Sequence, residues 1–208
     1  MVMWHGEFDF YLSLPLMDQI ILKFPEHTQF TDDELFDFCA TNDWFRIERN
    51  KSGQLIIMSP SGSLTSNLIM RINRELCNWN DLNPQVGYLF ESSAGFKLPD
   101  GAVFSADAAF VAKDKWEGLT PSQQEKFAPL CPDFVIEVRS PSDSLPQLKL
   151  KMTDWINNGC RLAWLIDPIK RNAFVYTSQG LVRTLETFDD QLDGADVMPG
   201  LVLDLRKL

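Results

Sequence analysis

Histidine and cysteine are scarce in this chain of 208 residues, with two His and four Cys. Cys39, Cys77, Cys131 and Cys160 are widely spaced and form no C-x-x-C, and only His5 and His27 could join them as ligands. That pattern argues against a structural zinc site and against a disulfide framework. It predicts a reducing, cytoplasmic setting in which the cysteines are small core fillers. Long apolar runs are missing too. No stretch approaches ~18 uncharged apolar residues, so nothing is predicted to span a membrane. The opening segment carries Glu7, Asp9 and Asp18 and lacks the basic start and unbroken apolar core of a signal peptide. Basic residues are in deficit, 19 against 29 acidic ones for a net charge of −10. A protein that coats nucleic acid by bulk charge needs the opposite balance, although a local basic groove stays open to this one. No phosphate-cradling glycine loop, H-E-x-x-H or G-x-S-x-G elbow is present. Chemistry is left to carboxylates, lysines and a hard metal.

What is present fits one globular domain of residues 31–208, preceded by an arm, residues 1–30, that packs on the core or on a partner. Thr31 and Glu34 form a capping-box pattern ahead of Leu35, Phe36 and Phe38, so a short helix is predicted there. The run FRIERNKSGQLIIM reads as two strands around an Asn-Lys-Ser-Gly turn. Leu68, Ile72, Leu76 and Trp79 make one helical stripe, which Ser63 or Thr65 can cap. VGYLFESS, GFKLPDG and AVFSADAAFV follow as three strands, and residues 113–131 as a polar excursion with a helical turn. Then come a strand (DFVIEVRS), an amphipathic helix with Pro146 in its first turn and Gly159 at its stop, an apolar strand (RLAWLIDP) and a hairpin. A strand–helix–strand passage implies neighbouring parallel strands, and the flanking hairpins make the sheet mixed. The expected fold class is α/β or α+β, with a central mixed sheet flanked by helices.

Two carboxylates stand out by context. Asp107 interrupts AVFSADAAFV and Glu137 interrupts DFVIEVRS. A charge in a buried strand is costly unless it is paired or bound to a cation. If the strands are neighbours, both carboxylates can converge on one Mg²⁺; otherwise each faces solvent or forms a private ion pair. Lys149 and Lys151 flank the apolar face of the helix that follows. Either can swing toward Glu137 to orient or deprotonate a water and stabilise phosphoryl charge, or lie over the surface. Arg139 shares Glu137's face and could clamp phosphate without acting as a base.

At this point the sequence resembles a family. The run PDFVIEVRSPSDSLPQLKLKMTDWINNGCRLAWLIDP is similar to the signature of the Uma2 family, also known as DUF820. The match runs through Asp107 in a Ser-Ala-Asp triplet, Glu137-Val138-Arg139-Ser140-Pro141, Lys151, Trp155, Gly159 and Ala163-Trp164-Leu165-Ile166-Asp167-Pro168. Ile47-Glu48 and Gly53 to Pro60 resemble the opening strand pair, and the likeness covers roughly residues 30–180. The resemblance implies a bacterial protein with the restriction-endonuclease-like core of the PD-(D/E)XK nuclease superfamily. It also implies Mg²⁺ or Mn²⁺ held by Asp107, Glu137 and the carbonyl of Val138, with Asp107, Glu137 and Lys151 as the catalytic set. Arg139 stands where the family's E-x-K lysine is usual, so that role passes to Lys151. Glu48 is a further site acid by resemblance, with Glu75 its competitor.

Two functions follow as expectations. One is a metal-dependent endonuclease that hydrolyses DNA. The alternative is a weakly active or inactive nuclease-fold protein with a binding or regulatory role, favoured by the −10 charge and the displaced lysine. DNA would approach a local basic rim that includes Lys149, Lys151 and Arg139. Two arrangements of the arm stay open: a homodimer, since duplex cleavage needs two cuts and Trp4, Phe8, Phe10 and Tyr11 could cross to a partner, or an arm packed on its own domain.

Overall fold

The computed structural model describes residues 19–24 and 30–208. Most of the expected arm therefore lies outside the described residues. Its described part includes strand β1 (Gln19–Leu22), which pairs with a later strand at a sheet edge. Helix α1 (Asp32–Thr41) opens on a closed capping box: the Thr31 hydroxyl accepts the Glu34 amide at 3.3 Å, and the Glu34 carboxylate accepts the Thr31 amide at 2.8 Å. Strands β2 (Arg46–Arg49) and β3 (Leu55–Met58) form the expected antiparallel hairpin. Its turn closes because Gly53 takes φ +76° and the Asn50 side chain accepts the amides of Ser52 and Gln54.

Helix α2 (Ser63–Leu82) buries the stripe of Leu68, Ile72, Leu76 and Trp79. Neither Ser63 nor Thr65 caps it, contrary to expectation. Gly62 is the N-cap, no side chain closes the first turn, and Thr65 is buried against the core. Strands β4 (Gly87–Glu91), β5 (Phe96–Lys97), β6 (Val103–Phe104) and β7 (Ala108–Ala112) come next. The segment AVFSADAAFV is thus two strands rather than one. Strand β6 pairs with β2 and β7 with β4, so the chain changes sheets at Ser105–Asp107. The reason is polar. The Ser105 amide donates to Glu48 and Asp107 accepts the Val138 amide, and these bonds tie the segment to both sheets.

The polar excursion contains α3 (Lys113–Glu117) and α4 (Pro121–Gln124). Strand β8 (Phe134–Val138), helix α5 (Leu145–Asn157) and strand β9 (Leu162–Asp167) make the expected passage, with β8 and β9 parallel. Helix α5 stops where Gly159 takes φ +104°, and the amides of Gly159 and Cys160 return to the carbonyls of Ile156 and Trp155. Strands β10 (Asn172–Thr177) and β11 (Gly180–Leu185) form the next hairpin. Strands β12 (Gln191–Asp193) and β13 (Val202–Asp204) form a last one.

Among the described residues there are three sheets, ordered β1-β3-β2-β6-β5, β11-β10-β9-β8-β7-β4 and β12-β13. The six-stranded sheet is mixed and central. Its Phe134, Ile136 and Trp164 side pack with the α2 stripe, while Val135, Ala163 and Leu165 pack on the other side with Met152 and Trp155 of α5. The five-stranded sheet builds its own small core from Ile47, Leu55 and Val103 against Leu35 of α1. The core-filler reading of the cysteines holds for Cys131 and Cys160, which are buried; Cys39 is half-buried and Cys77 is exposed. Cys77 is one residue past the buried stripe position Leu76, so its side chain turns outward.

Candidate active site

Between the two larger sheets, α5 roofs a cleft of about 260 Å³ lined by Arg46, Glu48, Asp107, Glu137, Val138 and Lys151, among others. Each side chain arrives by simple geometry. On β2 the residues alternate, so Ile47 enters the α1 core while Arg46 and Glu48 share the opposite face. On β8, Glu137 falls on the α5 side because Ile136 and Val138 take the α2 side. Asp107 sits at the point where the chain crosses between sheets. Lys151 and Trp155 are four residues apart on α5, so they project from one face.

These groups bind one another closely. Lys151 Nζ lies 2.8 Å from Glu48 Oε1, 2.8 Å from Glu137 Oε1 and 2.8 Å from the Ser105 carbonyl, which uses all three ammonium donors. Trp155 Nε1 donates to the same Glu137 oxygen at 3.1 Å. Asp107 Oδ2 accepts the Val138 amide at 2.8 Å, and its Oδ1 takes Arg46 Nη1 at 3.3 Å. Arg46 Nη2 reaches the Ser105 carbonyl, and its buried Nε has no acceptor among the described residues. Three carboxylates therefore face two cations in a largely buried space. Burial pushes the Glu137 carboxyl up to about 7; Lys151 and Arg46 pull it down, while Asp107 and Glu48 act with burial. Burial alone would lower the Lys151 ammonium, but Glu137 and Glu48 outweigh it and hold Lys151 above its ordinary value. These contacts favour the protonated form of Lys151.

The structure brings together Asp107, Glu137, Val138, Lys151 and Glu48. It does not bring in Arg139, Lys149 or Glu75. Arg139 is ion-paired with fully buried Asp167 at 2.8 Å, Lys149 lies 4.0 Å over the ring of Phe174, and Glu75 pairs with Arg74. Of the three expected rim cations, then, one is inside the cleft and two are engaged elsewhere. Sequence reasoning missed Arg46, whose signal is the R-I-E alternation on β2. It also missed the Ser105 carbonyl and the Trp155 indole as the groups that fix Lys151 and Glu137.

Among the described residues, no group of three or more His, Cys, Asp and Glu side chains is gathered so as to hold a metal ion. The donor chemistry nevertheless fits a hard cation, since the acids are all oxygen donors and Mg²⁺ takes few carboxylates and keeps several waters. Both glutamates receive their bonds on Oε1, so Oε2 of each takes none of them.

The fold and cleft have counterparts among known proteins. A family model named Uma2, described as "Putative restriction endonuclease", matches residues 32–206. The chain belongs to the Uma2 family. A crystal structure described as that of "a putative nuclease belonging to DUF820" from Anabaena variabilis ATCC 29413 is similar to this chain with a TM-score of 0.70. It shares 18% sequence identity, and the match covers 85% of this chain and 96% of that one. At that identity the likeness speaks for the fold, a nuclease-like arrangement of mixed sheet and helices. Comparison with curated proteins gives no match.

Proposed function

We propose that this Uma2 protein is a metal-dependent endonuclease that hydrolyses phosphodiester bonds in DNA. The observation that carries the reading is the convergence of Glu48, Asp107, Glu137 and Lys151 in one cleft, from both sheets and α5. Asp107, Glu137 and the Val138 carbonyl would hold Mg²⁺ or Mn²⁺. Bound there, the cation would supply Lewis-acid stabilisation of the phosphoryl oxygens and a more acidic water. Lys151, kept protonated by the two glutamates, orients the attacking water and offsets charge on the phosphorus oxygens. Glu48 and the Ser105 carbonyl hold Lys151 in place, and Arg46 offers a second cation beside Asp107. A homodimer in the cytoplasm goes with this reading, because a duplex has two strands to cut. Among the described residues no helix is long and apolar enough to cross a membrane.

The test is cleavage of plasmid and single-stranded DNA with Mg²⁺ or Mn²⁺, comparing wild type with Glu137→Gln and Lys151→Met. The wild type is expected to cut only with metal. Glu137→Gln is expected to abolish cutting, and Lys151→Met to slow it by roughly 10²-fold or more. Cutting that survives Glu137→Gln removes the cleft from the reaction. One observation favours the second reading, a binding protein without hydrolysis: the Lys151 ammonium already binds one oxygen of each glutamate. That reading expects DNA binding, with no cutting under any divalent cation.

A further inference from the structure

A second cleft, of about 290 Å³, lies on the α2 side of the same strand end; Arg71, Arg139 and Arg171 line it together with apolar residues such as Leu68, Pro168 and Phe188. No Asp or Glu side chain lines it, in a chain with 29 acidic residues. Most lysines and arginines of the described chain are ion-paired, yet Arg71 has no carboxylate partner among the described residues. Arg171 has none either; its guanidinium stands 4.8 Å over the ring of Phe188. Arg139 is fixed rather than spent. Its Nη1 donates to Asp167 and its Nε to the Asp143 carbonyl, while Nη2 takes part in neither bond. Asp167 also accepts the amides of Ile169 and Lys170, so one buried carboxylate both orients Arg139 and shapes the turn that presents exposed Lys170 and Arg171. The first turn of α2, uncapped by any side chain, adds the positive end of a 20-residue helix to the same cleft.

The two clefts share a wall. Val138 and Ser140 line the acidic cleft, while Arg139 and Pro141 line the arginine cleft.

We propose that the Arg71–Arg139–Arg171 cleft binds a backbone phosphate of the nucleic acid that is cut in the acidic cleft. The inference rests on the nuclease reading and gives the acidic protein a cationic contact for the polymer beyond the acidic cleft. Arg139 is braced by Asp167, and Arg71 and Arg171 close on the phosphate from α2 and the β9–β10 turn. Guanidinium groups suit this task because they form paired bonds to phosphate oxygens.

The test is an anisotropy titration of fluorescein-labelled duplex DNA in EDTA over a range of salt, with wild type, R71Q/R171Q and, as a control for bulk charge, K113Q. Lys113 pairs with Glu117 on a different face, Arg171 is exposed and Arg71 is half-buried, so thermal unfolding is measured alongside, and similar midpoints for all three proteins are expected. The double variant is expected to bind roughly tenfold or more weakly at about 0.1 M salt, with the slope of log K against log salt reduced by about 1. K113Q is expected to match the wild type. Equal affinity and slope for wild type and R71Q/R171Q overturn the inference. If metal-dependent cutting still requires Glu137 in that case, the nuclease reading survives alone. A wild type that neither binds nor cuts DNA overturns both, and so does stabilisation by inorganic phosphate with no DNA bound.

Discussion

Glu137 shares one buried space with two other carboxylates, a lysine and an arginine, and its carboxyl is pushed up to about 7 by burial. In the unfolded chain it titrates near the ordinary carboxylate value. Between that value and about 7, the folded protein keeps a proton that the unfolded chain releases. Stability from this group is therefore full at low pH and declines as pH rises through the window. Glu137→Gln stays neutral throughout. In urea unfolding without divalent cations, the variant is expected to gain on the wild type between about pH 5 and pH 8, by on the order of 1–3 kcal/mol. Lys151→Met acts in the opposite sense. It leaves Glu48 and Glu137 buried without their cation, and is expected to cost roughly 3 kcal/mol at about pH 8, with a smaller loss at low pH where Glu137 protonates. Asp107 and Glu137 were legible in the sequence because a charge inside an apolar run is a local anomaly, while the helix spacing offered Lys149 and Lys151 alike and the family resemblance chose Lys151. Glu48 came from the family resemblance. The R-I-E alternation put Arg46 on the face of Glu48, but its pairing with Asp107, 61 residues away, is set by the tertiary structure alone.

At the scale of elements, periodicity found the long helices and the central strands, and turn chemistry found the short β2–β3 pair. Helices α2 and α5 follow from their stripes, and β8 and β9 from their apolar runs. The split of AVFSADAAFV into β6 and β7 was hidden, since two residues of strand carry no alternation and the sheet change is set by bonds to Glu48 and Val138. That split matters for the site, because it places Asp107 between sheets instead of within a ladder. The cap of α2 was misread because Ser63 and Thr65 are good capping residues, and only the tertiary structure shows Thr65 buried. The stop of α5 was legible in Gly159. Gly159→Ala would place a Cβ at φ +104°, where the surroundings are open and the cost is backbone strain alone. The substitution is expected to lower stability by about 1–2 kcal/mol in thermal or urea unfolding, with Lys151 still in register.

For the whole molecule, α2 and α5 cover opposite faces of the six-stranded sheet, and a cleft opens on each side of the C-terminal end of β8. One cleft gathers acids around a lysine, and the other gathers arginines with no Asp or Glu in its lining. The net charge of −10 is therefore distributed unevenly, and the bulk figure says little about where an anionic polymer could approach. The dimer expectation is checked by sedimentation equilibrium, where this account expects twice the 23.8 kDa chain mass. The central claim is that Asp107 and Glu137 form a divalent-cation centre, and calorimetric titration of Mn²⁺ at about pH 8, where Glu137 is ionised, tests it most directly. The account expects one Mn²⁺ per chain in the wild type, with binding lost or weakened about 10-fold or more in both Asp107→Asn and Glu137→Gln. A wild type that takes up no Mn²⁺, or variants that bind it unchanged, would contradict it.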